Sequence, residues 1–473
     1  MGSDADADAI SFGTDGWRAT LDTFTAPRVR MVGQAVASSL ADDGETAPVA
    51  VGYDARETSR RFAEELAEVL AGNGFDVLLA EDDLPTPVVG WSVLDRDLSG
   101  ALMVTASHNP PEYNGVKFIP SDGAPALPDV TDGLVERLAE PDPLHVDERG
   151  TITETDFVEP FHEYALETVD VDLSGVSVVY DAMHGSGRGV TDDLLERAGA
   201  DVDRIRCEAD PTFGGESPEP TAEHLTELVE RVEETDAAIG IANDGDADRV
   251  TVVSPERGAL DPNLFFAATY DALLGGEALA DPDSFARTGD VVRSVPTSSI
   301  VDRVAEAHGK AVYETPVGFK WVAEAMGEHD ALMGGEESGG FGLTSHLRNK
   351  DGVLLALLAA AIAAEETYDD RIDALLDEHG DIVQDRVSVD CPDERKEPVL
   401  DELDGALPDT LADAAVDRVN TIDGFKVFLD DGTWLLVRPS GTEPKLRVYA
   451  EAGSQDRADE LLAAGRDLVE PLV

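Results

Sequence analysis

Apolar segments of strand length alternate with helical segments near the start of this sequence, and this alternation restricts the fold more than any other feature. Residues 49–54, 75–80 and 101–104 form apolar runs typical of strands, and residues 58–71 have the pattern of a helix. Strands separated by helices in this way pair in a largely parallel sheet. The sequence therefore predicts an α/β domain at this end of the chain.

The length of 473 residues is too great for one core and indicates three or four domains. A polar stretch around residues 140–150 marks the first boundary. After residue 379 the pattern changes to short alternating strands, with a hairpin signal between residues 421–427 and 432–437. We therefore predict four domains with these boundaries: 1–150, 151–255, 256–370 and 371–473.

The formal net charge of −64 arises from 99 acidic and 35 basic residues. A chain this negative repels nucleic acid and anionic membranes, so we expect neither as a partner. The acids are spread over the whole chain and the apolar pattern remains intact, which argues against disorder. We interpret the composition as that of a folded, halophilic protein from a salt-rich cytoplasm, where screening reduces self-repulsion.

The sequence contains no pattern that predicts secretion or insertion into a membrane. Its N-terminus lacks the basic start and apolar core of a signal peptide. The longest apolar run, residues 353–364, has the length of a buried helix. Cys207 and Cys391 lie far apart and are interpreted as free thiols in a reducing compartment. A cytoplasmic location is the expectation.

The loop Thr105-Ala106-Ser107-His108-Asn109-Pro110 follows the strand at residues 101–104. Its proline and asparagine residues predict tight turns that hold a loop open, with the Ser107 hydroxyl available to a ligand. A serine is a weak nucleophile unless a base, a metal or a lowered pKa activates it. An ordinary polar turn is the alternative for this loop alone.

A second loop, Asn243-Asp244-Gly245-Asp246-Ala247-Asp248-Arg249, follows another apolar strand. Three carboxylates at alternating positions can converge on one hard cation if the loop curves around it. The calcium helix–loop–helix motif does not fit, because its glycine and glutamate positions are occupied by Arg249 and Pro255. Mg²⁺ fits this pattern, and an acidic turn in a very acidic protein is the alternative.

Two further loops have compositions suited to a sugar and to a phosphate. Residues 332–342 contain five glycines around two glutamates and a serine, a set that offers acceptors to sugar hydroxyls. Residues 438–447 contain three cations, two hydroxyls and a glycine, and such a turn can form an anion site. A flexible glycine turn and a stabilising basic patch are the respective alternatives.

These four loops, in this order, resemble those of the α-D-phosphohexomutase superfamily, which includes phosphoglucomutases, phosphomannomutases and phosphoglucosamine mutases. The resemblance covers nearly the whole chain, and the pair Thr-Ala-Ser-His-Asn-Pro and Asp-Gly-Asp-Ala-Asp-Arg is its most specific part. It implies an α/β fold of four domains around a central cleft: three related α/β domains with mixed sheets plus a C-terminal α+β domain.

The resemblance also implies roles for individual residues. Ser107 would be a phosphoserine whose phosphate holds Mg²⁺ together with Asp244, Asp246 and Asp248. Arg18, Lys117 and Arg249 would lie near the reacting phosphoryl group, with Lys117 as a proton shuttle. The remaining residues would bind substrate: Lys320, Glu336 and Ser338 on the sugar side, and Arg438, Ser440, Gly441, Thr442 and Arg447 at the phosphate that does not react.

The implied reaction interconverts hexose 1-phosphate and hexose 6-phosphate through a 1,6-bisphosphate, with glucose 1,6-bisphosphate as intermediate and activator. Relatives that isomerise both mannose and glucose phosphates, and the glucosamine enzymes, often end the sugar loop in Ser-Gly-His, whereas this sequence has Ser338-Gly339-Gly340. This favours glucose phosphate, with mannose and glucosamine phosphates as alternatives. A serine-dependent sugar phosphatase and a non-catalytic sugar-phosphate sensor are rival classes. A monomer or a homodimer is expected.

Overall fold

The computed structural model describes residues 3–13, 15–169, 171–276, 289–441 and 443–473, which form four successive units with one β-sheet each. The first three sheets contain both parallel and antiparallel pairs, and helices pack against them. The fourth sheet is antiparallel throughout. The predicted class, three mixed α/β domains and a C-terminal α+β domain, is confirmed.

The first unit supplies the serine loop. Every residue of its strands at positions 49–53 and 100–104 is buried, as expected for parallel strands covered on both faces. Its helices are α1 Ser3–Ala7, α2 Ala26–Asp42, α3 Ser59–Gly72, α4 Thr86–Asp95 and α5 Pro128–Glu136, with a 3₁₀ turn at Val146–Glu148. Its strands are β1 Trp17–Thr20, β2 Val49–Tyr53, β3 Val77–Ala80, β4 Gly100–Val104, β5 Tyr113–Pro120 and β6 Ile152–Thr155, in the order β1-β5-β4-β2-β3-β6.

The second unit carries the aspartate loop in a hairpin between two antiparallel strands. Its helices are α6 Val158–Val169, α7 Thr191–Arg197 and α8 Thr226–Thr235, with a 3₁₀ turn at Phe213–Gly215. Its strands are β7 Ser177–Asp181, β8 Asp201–Ile205, β9 Ile239–Asn243, β10 Val250–Ser254 and β11 Gly258–Ala259, in the order β11-β10-β9-β7-β8. The aspartate loop joins β9 to β10.

The third unit carries the glycine-rich loop between two short strands. Its helices are α9 Pro262–Gly275, α10 Ile300–Ala307, α11 Phe319–His329, α12 Gly352–Glu365 and α13 Tyr368–His379. Its strands are β12 Val291–Ser294, β13 Val312–Thr315, β14 Met333–Gly335 and β15 Phe341–Leu343, in the order β13-β12-β14-β15. Helix α13 spans the predicted boundary at residue 370 and packs against α9 through Tyr368 and Phe265, whose rings lie 5.5 Å apart.

The fourth unit carries the phosphate loop, which joins its last two strands. Its helices are α14 Asp393–Ala406 and α15 Gln455–Val469, with a final 3₁₀ turn at Glu470–Leu472. Its strands are β16 Val383–Asp390, β17 Thr410–Leu411, β18 Ala414–Asn420, β19 Phe425–Leu429, β20 Trp434–Pro439 and β21 Lys445–Ala452, in the order β16-β21-β20-β19-β18-β17. The predicted hairpin is confirmed as the antiparallel pair β19–β20.

Helix α12 is the buried helix that the apolar run at residues 353–364 predicts. Asp351 caps it by accepting hydrogen bonds from the main-chain N–H groups of Val353 and Leu354 at 2.8 and 2.7 Å. A helix that is apolar on all sides belongs in a core, and α12 packs against helices and strands of the second and third units. Among the described residues, no helix combines the length and apolar character needed to cross a bilayer. Cys207 and Cys391 are free thiols.

A buried ionic cluster joins the third and fourth units. Lys426 of β19 is fully buried, and its Nζ donates to Glu314 Oε1 at 2.9 Å and to the carbonyl of Val295 at 2.6 Å. Arg293 donates to the same glutamate oxygen at 2.7 Å and to Asp302 at 2.5 and 2.7 Å. Because each charge has an opposite partner, the cluster can be buried without an isolated charge.

Replacing Glu314 with glutamine should destabilise the protein in a pH-dependent way. Burial opposes its ionisation, but Arg293 and Lys426 outweigh this and lower the pKa of Glu314 from 4.5 to about 2. A carboxyl whose pKa is lower in the folded state stabilises the fold above its unfolded pKa and loses this effect as the pH falls. We expect Glu314→Gln to cost about 3 kcal/mol near pH 7. In thermal unfolding, its difference from wild type should shrink as the pH falls through 4.5 towards 2.

Glu154→Gln is the matched control, because Glu154 also pairs with an arginine but its side chain is 60% exposed. It should change the free energy of unfolding by less than about 1 kcal/mol. A difference between wild type and Glu314→Gln that is the same at pH 7 and pH 4 would contradict the assigned role of the Glu314 charge.

Candidate active site

Ser107 lies three residues after β4, fully buried, where the first unit meets the second. Its Oγ donates a hydrogen bond to Asp244 Oδ2 at 2.8 Å, so the serine and aspartate loops are in direct contact. Its φ of 51° is left-handed, which costs a residue with a side chain roughly 1–2 kcal/mol. The Ser107 N–H donates to Thr105 Oγ1 at 2.8 Å, which helps to hold this conformation.

Arg56 holds the serine loop from behind and is a residue that the sequence analysis missed. It is 4% exposed, and its guanidinium donates to four main-chain carbonyls of the loop and its flank. Its fifth N–H group donates to Asp54 at 3.0 Å, and Asp54 in turn accepts from Thr105 Oγ1 at 2.7 Å. The four carbonyl acceptors, with their distances, are Ser107 (2.7 Å), Asn109 (2.6 Å), Pro110 (2.8 Å) and Tyr113 (3.2 Å).

The three aspartates of the second loop converge as the sequence predicts. Asp244, Asp246 and Asp248 are buried, and one carboxylate oxygen from each lies within 4.8 Å of the others. Among the described residues, Asp246 Oδ1 and Asp248 Oδ1 are buried without a hydrogen-bond partner. Buried carboxylate oxygens without donors are suited to a cation, and an all-oxygen set is what Mg²⁺ prefers. These residues therefore fit a magnesium ion.

Gly245 explains how the aspartate loop approaches the serine loop so closely. A Cβ atom at this position would lie 2.6 Å from the carbonyl oxygen of Ser107 and 2.9 Å from the Pro218 side chain. Only glycine leaves room for the two backbones to meet. The glycine within Asp-Gly-Asp is thus a packing requirement of the contact between the first and second units.

Two lysines neutralise the aspartate loop. Lys117 Nζ lies 2.9 Å from Asp246, 2.8 Å from Asp248 and 2.9 Å from Asp15. Lys350, which the sequence analysis did not assign, lies 2.7 Å from Asp248 and 3.2 Å from Asp15. A signal in the sequence that could have identified Lys350 is its position directly before Asp351, the residue that caps α12. Lys117 of the first unit, the aspartate loop of the second and Lys350 of the third therefore meet in one cluster.

The burial of this cluster shifts its pKa values in opposite directions. Burial, with the charges of Asp246 and Asp248, raises the pKa of Asp244 well above its usual value. Burial also opposes the ionisation of Asp248, but Lys117 and Lys350 lower its pKa. Burial opposes the charge on Lys117, yet the surrounding aspartates raise its pKa well above the usual value. Lys117 is therefore a firmly protonated cation here, and its role as a proton shuttle stays a prediction.

Both predicted arginines lie at the edge of the cluster. Arg18 is 3.4 Å from Asp15 and donates to Asn109 Oδ1 at 3.4 Å. The Arg249 main-chain N–H donates to Asp244 at 3.1 Å, and its guanidinium lies 3.6 Å from Glu219. The Nε atoms of both arginines are buried without a hydrogen-bond partner among the described residues. Donors in this state are available to an anionic ligand.

His108 follows Ser107 in the serine loop and is another residue to which the sequence analysis gave no role. Its Nδ1 lies 3.2 Å from Ser107 Oγ. Burial and the nearby charges of Arg249 and Arg18 lower the pKa of His108 to about 2. The imidazole is therefore neutral and can exchange a hydrogen bond with the serine without adding charge.

The glycine-rich loop places Glu336 in the interior and Ser338 at the surface. Glu336 Oε1 accepts from the main-chain N–H of Gly318 at 2.8 Å, and burial raises the pKa of Glu336 to about 7. Lys320, partly exposed, follows Gly318 by two residues, and burial lowers the pKa of Lys320. The predicted sugar loop and the Pro316–Lys320 stretch are thus in contact.

The phosphate loop brings Arg438 and Arg447 opposite each other on β20 and β21. Arg438 donates to Asp423 at 3.1 Å, and Asp423 also accepts from the main-chain N–H of Val317 at 2.9 Å, which links this loop to the third unit. Ser440 is buried and Gly441 is exposed. Thr442, the remaining predicted residue, lies outside the described residues.

Replacing Arg56 with lysine should loosen the serine loop, because a lysine has three donors where the arginine uses five. Each buried carbonyl left without a partner costs about 1–3 kcal/mol. We expect Arg56→Lys to lower the free energy of unfolding by about 3 kcal/mol and to speed hydrogen exchange at the Ser107 N–H. Arg60→Lys, at a half-exposed position on α3, is the control. Unchanged exchange at Ser107 in Arg56→Lys would contradict this role.

Four family models match this chain in sequence order. They are the phosphoglucomutase/phosphomannomutase alpha/beta/alpha domain I over residues 9–144, domain II over residues 156–258, domain III over residues 270–380 and the C-terminal domain over residues 387–468. The matched regions contain the serine, aspartate, glycine-rich and phosphate loops, respectively.

Individual relatives match along nearly their full length. The chain is 35% identical over 472 residues to a probable phosphoglucosamine mutase of Methanopyrus kandleri, covering 98% of each protein. It is 31% identical to a phosphoglucomutase/phosphomannomutase of Thermococcus kodakarensis, covering 97% of this chain and 98% of the relative. A crystal structure named as a phosphomannomutase of Thermus thermophilus superposes with a TM-score of 0.82 at 31% identity, covering 98% and 99%. The chain therefore belongs to the α-D-phosphohexomutase superfamily, and it is a phosphohexomutase.

Proposed function

We propose that this enzyme interconverts hexose 1-phosphate and hexose 6-phosphate by transferring a phosphoryl group between Ser107 and the sugar. The observation that carries the proposal is the 2.8 Å hydrogen bond from Ser107 Oγ to Asp244, which sets the hydroxyl beside three buried carboxylates. A hydroxyl in this position is next to carboxylates that can hold the cation that a phosphoryl group needs.

Asp244, Asp246 and Asp248 would hold Mg²⁺ together with the phosphate on Ser107. The ion would neutralise charge on the phosphoryl oxygens. Lys117 would then be released in part from Asp246 and Asp248, which it contacts at 2.9 and 2.8 Å. Its ammonium, still anchored on Asp15, would turn to the phosphoryl group and give a proton to the Ser107 oxygen as the bond from phosphorus to that oxygen breaks. The resulting amine would then take up the proton that the sugar hydroxyl loses as it attacks, which completes the proposed shuttle.

Arg18 and Arg249 would bind the phosphoryl oxygens from the sides. Their buried Nε atoms lack partners among the described residues, so binding an anion would satisfy donors that are already desolvated. In-line transfer depends on such fixed charges more than on covalent chemistry. His108, held neutral beside Ser107, orients the hydroxyl without competing for the phosphate.

The far end of the substrate would be held by the third and fourth units. Glu336 and Ser338 would accept from sugar hydroxyls, with Lys320 nearby. Both phosphates of the intermediate, glucose 1,6-bisphosphate, would occupy the same distal site in turn. Added bisphosphate would act as an activator by transferring a phosphoryl group to Ser107. The distal site would consist of these residues: Arg438, Ser440, Gly441, Thr442 and Arg447.

Glucose phosphate remains our first choice of substrate. A Cβ atom at Gly340 would lie 2.6 Å from Cδ and 3.0 Å from Cγ of Lys350, so Lys350 fills the space that a larger residue would need. A histidine at position 340 would therefore displace the lysine. Glucosamine phosphate is the second candidate, because the Methanopyrus kandleri relative is named as a probable phosphoglucosamine mutase.

The proposal is tested by following glucose, glucosamine and mannose 1-phosphates by ³¹P NMR with Mg²⁺, glucose 1,6-bisphosphate and a series of KCl concentrations. We expect the fastest conversion to 6-phosphate with glucose, and activity that rises with KCl because salt screens the net charge of −64. Ser107→Ala should lose at least about 10³-fold in kcat, since no phosphoryl carrier remains.

Each alternative gives a distinct result in this assay. Release of inorganic phosphate without 6-phosphate would identify a phosphatase, and ligand binding without turnover would identify a sensor. Faster conversion of glucosamine phosphate would select the second candidate. Ser99→Ala, at a buried serine that donates to the Ala47 carbonyl at 2.9 Å, is the control and should retain full activity.

Metal binding can be tested without an activity readout. Asp246→Asn and Asp248→Asn each remove a carboxylate in which one oxygen has no hydrogen-bond partner among the described residues. The affinity for Mg²⁺ or Mn²⁺, measured by calorimetry, should therefore fall more than about 10-fold in each variant. Asp210→Asn, at a half-buried carboxylate in a loop of the second unit outside the aspartate loop, should bind as wild type does. Equal affinities in all four proteins would exclude this loop as the metal site. Chelation should abolish turnover, and added Mg²⁺ should restore it.

A further inference from the structure

Lys396 lies in the first turn of α14, and its side chain binds main-chain carbonyls of the phosphate loop. Its Nζ donates to the carbonyl of Ser440 at 2.6 Å and to the carbonyl of Glu443 at 2.6 Å. Asp393, three residues earlier, balances the ammonium at 2.6 Å. The Lys396 side chain is only 12% exposed. Neither family motif nor local pattern in the sequence singles out this residue.

The fourth sheet has two faces, and Lys396 lies on the one covered by helices. Leu435 and Val437 of β20 belong to the core that α14 and α15 complete. Trp434 and Leu436 point the other way and pack with Val295 of the third unit. Since side chains alternate along a strand, Arg438 continues the face of Trp434 and Leu436.

Arg447 lies on that same face of the sheet, towards the third unit. It is the neighbour of Arg438 across the pair β20–β21. It also precedes Tyr449, which packs in the Val295 cluster, and Glu451, which accepts from the Ser299 N–H at 3.2 Å. The two arginines therefore face the third unit, whereas Lys396 holds the loop from the helix side.

The geometry of the peptide bond connects these two faces. The peptide bonds of the described residues are trans, so a carbonyl and the N–H group that follows it point in opposite directions. With the Ser440 carbonyl directed at Lys396, the Gly441 N–H is directed away from it. Other groups of the loop are already paired: Ser440 N–H donates to the Lys445 carbonyl, and Glu443 N–H donates to Ser440 Oγ.

We propose that Lys396 is a positioning residue of the distal phosphate site: it draws two carbonyls to the helix side and so turns the Gly441 N–H towards the face that carries Arg438 and Arg447. The ligand is the phosphate monoester group of the substrate. An ammonium on the Ser440 carbonyl also polarises that peptide, which strengthens its N–H as a donor. The inference rests on the proposed function, since it assigns that loop to the phosphate that does not react.

The test compares wild type with Lys396→Met, which keeps an unbranched side chain one atom shorter than lysine but cannot donate to a carbonyl. We expect the KM for both hexose 1-phosphate and hexose 6-phosphate to rise about 10-fold, the equivalent of one lost hydrogen bond, with kcat within about 3-fold. The calorimetric Kd of glucose 6-phosphate should rise by a similar factor. Lys396→Arg, which can still donate to both carbonyls, should restore KM and Kd to within about 3-fold of wild type.

Arg395→Met is the matched control, because Arg395 is the adjacent residue of α14 but contacts the carbonyl of Leu472 and the side chain of Glu402. It should leave KM and Kd unchanged. Lys396→Gln is the second neutral variant if the methionine variant does not fold, and it should raise both constants. A neutral variant that folds with wild-type KM and Kd, or one that lowers only kcat or thermal stability, would overturn the assignment. Absence of hexose phosphate turnover in wild type would instead overturn the proposed function.

Discussion

The contact between Ser107 and the aspartate loop requires three neighbouring carboxylates to be buried together. An unpaired buried carboxylate is prohibitively costly, so the loop requires compensating charge. Lys117 and Lys350 provide it from the first and third units, at 2.7–2.9 Å from Asp246 and Asp248. Asp246 Oδ1 and Asp248 Oδ1 nevertheless have no hydrogen-bond partner within the part of the chain that the structure describes. The two lysines therefore compensate enough of the negative charge for the loop to be buried, and two carboxylate oxygens are still available to bind a cation.

Positive charge is scarce in this chain, with 35 basic residues against 99 acidic ones, and several basic side chains are buried behind reactive loops. Arg56 holds carbonyls of the serine loop, and Lys396 holds carbonyls of the phosphate loop. Lys426 does the same for Val295 at the junction of the third and fourth units. A cation that binds carbonyls fixes a loop without occupying the N–H groups of that loop. These buried cations thus act on loop geometry rather than on the net charge of the chain.

Local patterns predicted the first α/β domain, the β19–β20 hairpin and the convergence of the three aspartates. The complete fold class of four domains came from the resemblance to the family. Alternating strands and helices, hairpin glycines and the three-aspartate loop leave signals within about ten residues. Residues that act from a distance left none: Arg56 lies 51 positions before the serine whose carbonyl it binds, and Lys350 lies 102 positions after Asp248. Such contacts depend on how the units pack, which periodicity and motif spacing do not encode.

The packing of the units indicates which interface can open for a substrate. One continuous apolar core runs through the first three units, from Val51 through Tyr180 to Leu357. The fourth unit has a core of its own and meets the third through a small cluster around Val295 and Trp434, together with ion pairs and hydrogen bonds such as Lys426–Glu314. Separating charged partners into water costs little compared with exposing a shared apolar core, because each ion regains its hydration. An opening at this interface would move the phosphate loop as a unit while leaving Ser107 and the three aspartates in place.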